Sequence, residues 1–113
     1  MRINFTSRHF KATRRLRSYA EARVSSLSKF YDNIIECDII LDHEKLDHVA
    51  EIAVKVYAQR LVAIEKTDDM FKSLDRAVQK LERQLKKYKG KLRKHSGEKT
   101  SVKIAASIEE GEK

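Results

Sequence analysis

The sequence predicts an α+β domain of order β-α-β-β-β-α, with two helices packed on one face of a four-stranded, mostly antiparallel sheet. Three observations lead there. Two segments repeat apolar residues at spacings of three and four, as helices with one buried stripe do. Three short segments alternate apolar and polar residues, and a fourth is a short apolar run, as strands with one covered face read. At 113 residues the chain has room for one modest core, so the helix stripes and the sheet must cover one another.

The elements follow in order. Ile3 and Phe5 alternate with Arg2, Asn4 and Thr6, which predicts a half-buried first strand. Thr13 is a suitable N-cap for a helix whose stripe is Leu16, Ala20, Val24, Leu27 and Tyr31, ended by Asp32-Asn33. Ile35, Cys37, Ile39 and Leu41 alternate with Glu36 and Asp38 in a second strand, and Asp42 to Asp47 read as a polar turn. Ala50, Ile52, Val54 and Val56 make the third strand, a turn near Ala58-Gln59 follows, and Leu61 to Ile64 make the fourth. Thr67 or Asp68 is expected to cap a long helix running to His95, with Leu74, Val78, Leu81, Leu85, Tyr88 and Leu92 as its stripe. From Ser96 the periodicity stops, so the domain is placed at 1–95 and a disordered, weakly acidic tail at 96–113.

Several function classes are excluded by residue type. No run approaches the roughly 18 apolar residues of a membrane span, and Met1-Arg2-Ile3-Asn4-Phe5 lacks a secretory apolar stretch, so a cytoplasmic setting without membrane partners is expected. The single Cys37 suits a reducing compartment and reads as a small buried hydrophobe. His9, His43, His48 and His95 are scattered, and Asp42, Glu44 and Asp47 lack calcium-loop spacing, so no metal is expected. No phosphate loop or nucleophile motif is present. The expectation is a protein that is no enzyme, with no cofactor and no small-molecule substrate.

Charge is more informative than its total of +8. Residues 1–29 hold eight Lys/Arg against one Glu, residues 30–69 hold four against ten acids, and residues 70–95 hold ten against two. Both helical segments are therefore cationic and the strands between them acidic, a separation that draws in polyanions. Opposite the long helix's stripe lie Arg76, Lys80, Arg83, Lys87, Lys91 and Lys94, with Lys86 and Arg93 on a flank. Residues 83–94 hold seven Lys/Arg and no acid, whereas an ordinary solvated face mixes signs at i, i+4. In the first helix, Arg14, Arg15 and Arg17 oppose the helix dipole by roughly a few tenths of a kcal/mol, which hints at an external role. Two basic helices over a small sheet are double-stranded-RNA-binding-domain-like, reading shape and phosphate, while the aromatics fall mostly on apolar stripes.

Asp69-Met70-Phe71, Leu74-Asp75, Lys80-Leu81-Glu82-Arg83-Gln84-Leu85, Lys87, Lys89 and Lys91 together form a specific pattern. With Ile3-Asn4-Phe5-Thr6, Thr13 and the Asp32 after Phe30-Tyr31, they resemble the ribosome hibernation promoting factors, a family that includes the ribosome-associated translation inhibitor. The resemblance covers residues 1–95. It implies the same fold and binding to the small ribosomal subunit and its ribosomal RNA near the decoding region. There it would overlap the messenger RNA and transfer RNA sites and silence idle ribosomes in stress or stationary phase. It implies that Lys80, Arg83, Gln84, Lys87, Lys89 and Lys91 face ribosomal RNA or flank residues that do. Charge adds Arg76, Lys86, Arg93, Lys94, Arg14, Arg15 and Arg17 to the candidate surface.

The chain departs from the family at Phe71, where Tyr is usual, and at the Ala58-Gln59 turn, which lacks the usual Gly. It ends before the second domain of long members, which implies a short form and leaves room for cooperation with a ribosome-dimerising factor. The core and the Lys94-His95 end look like the hibernation promoting type, the extended tail like the inhibitor type that opposes ribosome pairing. A different class, a protein-interaction modulator of an alternative sigma factor, stands as the alternative.

Overall fold

The computed structural model describes residues 1–94, with side chains through Lys91. The tail expected over 96–113, and His95, lie outside the described residues. Strand β1 (Arg2–Arg8) leads to helix α1 (Arg14–Ser25) and a single 3-10 turn (Ser26–Lys29); β2 (Glu36–Glu44), β3 (Asp47–Val56) and β4 (Gln59–Thr67) follow, then helix α2 (Met70–Lys94). The sheet order is β1-β2-β3-β4, with β1 parallel to β2 and the other two pairings antiparallel. The expected order and the mostly antiparallel sheet are both present.

Register builds the core. Ile3, Cys37, Val54 and Leu61 form one row across the four strands, and Phe5, Ile39, Ile52 and Ala63 form the next. Alternation puts both rows on the same face. Against them lie Leu16, Ala20 and Val24 of α1, Leu27 of the 3-10 turn, and Leu74, Ala77, Val78, Leu81, Leu85 and Tyr88 of α2. Cys37 is fully enclosed, and burial pushes its thiol pKa up to about 12, so it packs as the small hydrophobe expected.

The opposite face of the sheet carries Asn4, Glu36, Asp38, Arg60 and Lys66, linked in part by the Asn4 amide to Glu36 at 2.5 Å and to Asp38 at 2.7 Å. It is less uniformly polar than the alternation suggests. Val49 and Ala53 are buried there among neighbouring side chains, and Ile64 is exposed.

Local expectations needed four adjustments. The first helix stops at Ser25, before Tyr31: Ser26 and Ser28 donate to the carbonyls of Arg23 and Ser25, which competes with the helical ladder and tightens the chain into the 3-10 turn. The polar turn shrinks to Lys45-Leu46, because Asp42 to Glu44 and Asp47 continue the strands in register. The helix cap is Asp69, whose carboxylate accepts from the Phe71 N–H at 3.2 Å and whose carbonyl accepts from Ser73 N–H; Thr67 instead brackets Asp69 from outside the helix. The β3–β4 turn is Tyr57-Ala58, one residue earlier than expected. Ala58 takes a positive φ of 66°, the conformation for which Gly is suited, and the hairpin register holds from Val56–Gln59 upward.

Candidate nucleic-acid interface

The Thr13 hydroxyl accepts the Leu16 N–H at 3.1 Å and starts α1 so that Leu16 and Ala20 turn inward. That phase leaves Arg14, Arg15 and Arg17 exposed. In α2 the buried positions Leu74, Val78, Leu81, Leu85 and Tyr88 set the phase. Arg76, Arg83, Lys86, Lys87 and Lys89 consequently face outward, with Lys80 and Lys91 half-buried at the margins. Lys80 lies 3.5 Å from Glu65 of β4, so part of its charge is answered within the molecule. Arg93 and Lys94 belong to α2, but their side chains lie outside those described.

Gln84 departs from expectation. It is 8% exposed and its amide donates to the Val62 carbonyl of the edge strand β4 at 3.3 Å, so it serves the helix–sheet packing and does not face outward. Its own amide oxygen is buried without a hydrogen-bond partner among the described residues. The spacing contained the signal: Gln84 stands three residues after Leu81 and four before Tyr88, on the stripe itself.

The two cationic faces are held together by a link that sequence reading missed. Asp75 of α2 accepts from the Tyr19 hydroxyl at 2.6 Å and from Arg23 Nε at 3.0 Å, both on α1. Asp75 thus bridges the two helices. The hydrogen bond to Asp75, and then burial, raise the Tyr19 pKa above its ordinary value. The available clue was a lone acid in the first half of an otherwise basic helix, opposite an arginine-rich partner.

Aromatic rings set the height of several cations. Arg15 lies over Phe71 at 5.9 Å, Arg17 over Phe5 at 5.3 Å and Lys86 over Phe30 at 5.1 Å. Phe71 in turn meets Tyr19 edge-on at 5.0 Å, so the Phe at this position packs under an arginine at the helix junction. Such stacking restrains long side chains that would otherwise lose rotamer freedom on binding a partner. Positive groups on two neighbouring helices, three of them restrained over rings, suit phosphates spaced along a nucleic acid backbone, although Arg17 is already answered in part by Glu21 at 3.2 Å.

Among the described residues, no group of three or more His, Cys, Asp or Glu side chains is placed to hold a metal, and no helix is long and apolar enough to cross a membrane.

Comparison with known proteins agrees with this architecture. The family model described as sigma 54 modulation protein / S30EA ribosomal protein matches residues 3–93. A ribosome hibernation promoting factor of Azotobacter vinelandii is 31% identical over 80 residues, 71% of this chain and 75% of that protein. The one from Escherichia coli K12 is 30% identical over 80 residues, 71% of this chain and 84% of its own length. A ribosomal subunit interface protein from Coxiella burnetii superimposes with a TM-score of 0.75 at 31% identity, covering 80% of this chain and 99% of that one. The N-terminal domain of Protein Y from Thermus thermophilus gives 0.73 at 27% identity, covering 78% and 99%. With the family model spanning nearly all the described residues and the fold shared with two solved relatives, the chain belongs to the sigma 54 modulation protein / S30EA ribosomal protein family, that of the ribosome hibernation promoting factors.

Proposed function

We propose that the chain is a non-catalytic ribosome-binding factor of the cytoplasm. It docks the outward faces of α1 and α2 on ribosomal RNA of the small subunit near the decoding region. Occupying the messenger RNA and transfer RNA sites there would keep idle ribosomes silent. The observation that carries this reading is the set of exposed cations Arg14 and Arg15 on α1 and Arg76, Arg83, Lys86 and Lys89 on α2, two helices joined through Asp75; Arg17 lies over Phe5 of β1 and pairs with Glu21 at 3.2 Å. Family membership supports it, as do the names of the curated relatives, which favour the hibernation promoting type over the inhibitor type.

The test is sedimentation of the protein with purified small subunits through a sucrose cushion. The wild-type chain is expected in the subunit pellet. Arg83→Glu combined with Lys89→Glu is expected in the supernatant, and Lys45→Glu, in the distant β2–β3 turn, in the pellet. Equal loss from both variants would count against the helix surface. Co-purification with protein alone after ribonuclease treatment would favour the sigma-factor modulator instead.

A further inference from the structure

One exposed aromatic is left unused by the helix surface. Tyr57, at the apex of the β3–β4 turn, is 76% exposed, whereas the other three tyrosines and the four phenylalanines are buried or half-buried. An isolated exposed tyrosine is unremarkable; the structure around this one is less ordinary.

The apex is tied to the basic helix. Tyr88 of α2, itself 2% exposed, donates its hydroxyl to the Tyr57 carbonyl at 2.7 Å, and Tyr31 meets the Tyr88 ring edge-on at 5.3 Å. The turn therefore sits beside the stretch of α2 that bears Lys87, Lys89 and Lys91. The turn is also strained. Ala58, next to Tyr57, holds a φ of 66°, which disfavours a residue with a Cβ by about 1–2 kcal/mol. A Gly would relieve that strain and loosen the apex; the Ala keeps the turn, and hence the ring that it carries, in fewer arrangements.

The charges beside the apex match. One residue pair below the turn ends, Lys55 and Arg60 stand directly opposite one another across the hairpin, both exposed. Like charges in that relation repel. Asp38 reaches Arg60 only at 3.8 Å, and Glu36, which neighbours Lys55 in the sheet, already accepts from Arg2 and Asn4. A phosphate would relieve the pair. An aromatic ring set among lysines and arginines suits a nucleic acid, whereas the cores of protein interfaces are depleted of lysine.

We propose that Tyr57 is a base-stacking contact: the RNA-binding surface continues from the basic half of α2 around the β3–β4 turn, where the Tyr57 ring stacks on an unpaired nucleobase and Lys55 and Arg60 take the flanking phosphates. This rests on the reading above that the partner is ribosomal RNA, and adds to it a contact with a base.

The chain contains no tryptophan, so Tyr57→Trp introduces a single indole that reports on this position alone. On titration with purified small subunits its fluorescence is expected to be quenched, as stacking on a base requires. Tyr57→Ala is expected to weaken binding about tenfold, in the range of one lost base stack, while Tyr57→Phe binds as wild type. The dependence of log K on log salt should keep its slope in Tyr57→Ala, because no phosphate contact is removed, and should flatten in Arg60→Ala. Unfolding in urea checks that each variant is folded. Wild-type affinity in Tyr57→Ala, unchanged indole emission on bound subunits, or a blue shift without quenching (as burial against protein gives) would each overturn the stack while docking through α2 stands. Failure of the wild-type chain to bind subunits would overturn the docking reading, and the stack with it.

Discussion

The Tyr19 hydroxyl donates to Asp75 at 2.6 Å, joining two helices whose contributing residues are 56 positions apart. Arg23 donates to the same carboxylate oxygen. Asp75→Ala removes the shared acceptor, and the expected loss is about 1–2 kcal/mol in urea unfolding, kept modest by the partial exposure of the group. Its effect on ribosome binding separates two accounts. Deleting an acid makes the surface more positive, so charge alone predicts tighter binding; loss of helix positioning predicts weaker binding. We expect weaker binding by sedimentation, at unchanged salt slope.

The α1 arginines are expected to contribute as phosphate contacts. Arg14→Ala and Arg15→Ala should each reduce the magnitude of the log K against log salt slope by about one. Gln84→Ala should leave that slope alone and instead lower stability by about 1 kcal/mol, since its amide serves the Val62 carbonyl. Subunit binding measured at four salt concentrations, with urea melts beside it, checks both.

Ala58→Gly should stabilise the isolated protein. Relief of the positive φ outweighs the added freedom of the unfolded chain, leaving a gain of about 0.5–1 kcal/mol. The denaturation midpoint should rise without a change in the steepness of the transition.

Alkaline pH should unfold the protein through two buried acids. Burial raises the Cys37 thiol from 9.0 to about 12, and burial, with Tyr31 beside it, raises the Tyr88 phenol from 10.0 to about 12. Each folded-state value lies above the unfolded one, so the unfolded chain releases its proton first. The stabilisation is complete below about pH 9 and disappears as pH rises towards about 12. Tyr88→Phe should flatten the upper part of that decline. At pH 8 iodoacetamide should leave Cys37 unmodified until denaturant is added, as mass spectrometry will show.

Much of the fold was legible because periodicity is a local property. Leu16, Ala20 and Val24 declare a helix face, and Cys37, Ile39 and Leu41 a strand face, within ten residues each. Where reading slipped, a second local preference competed. Serine hydroxyls shortened α1, and Ala58 accepted a backbone conformation that an alanine does not advertise. Gln84 was misplaced for a different reason: its polar type outweighed its position on the stripe, although an edge-strand carbonyl was waiting for it.

Residue order was sufficient for the element sequence, the partition of charge between helices and strands, and the outward direction of Arg76, Arg83, Lys86, Lys87 and Lys89. These depend on turns of 100° and alternations of 180°, which a chain carries in its own spacing. Folding alone settled which distant groups meet: Asp75 between Tyr19 and Arg23, Phe71 beneath Arg15, and the Tyr88 hydroxyl on the Tyr57 carbonyl. Such contacts form only after the sheet has set the helices side by side, so no local pattern encodes them. They set the two basic helices against each other and against the β3–β4 turn.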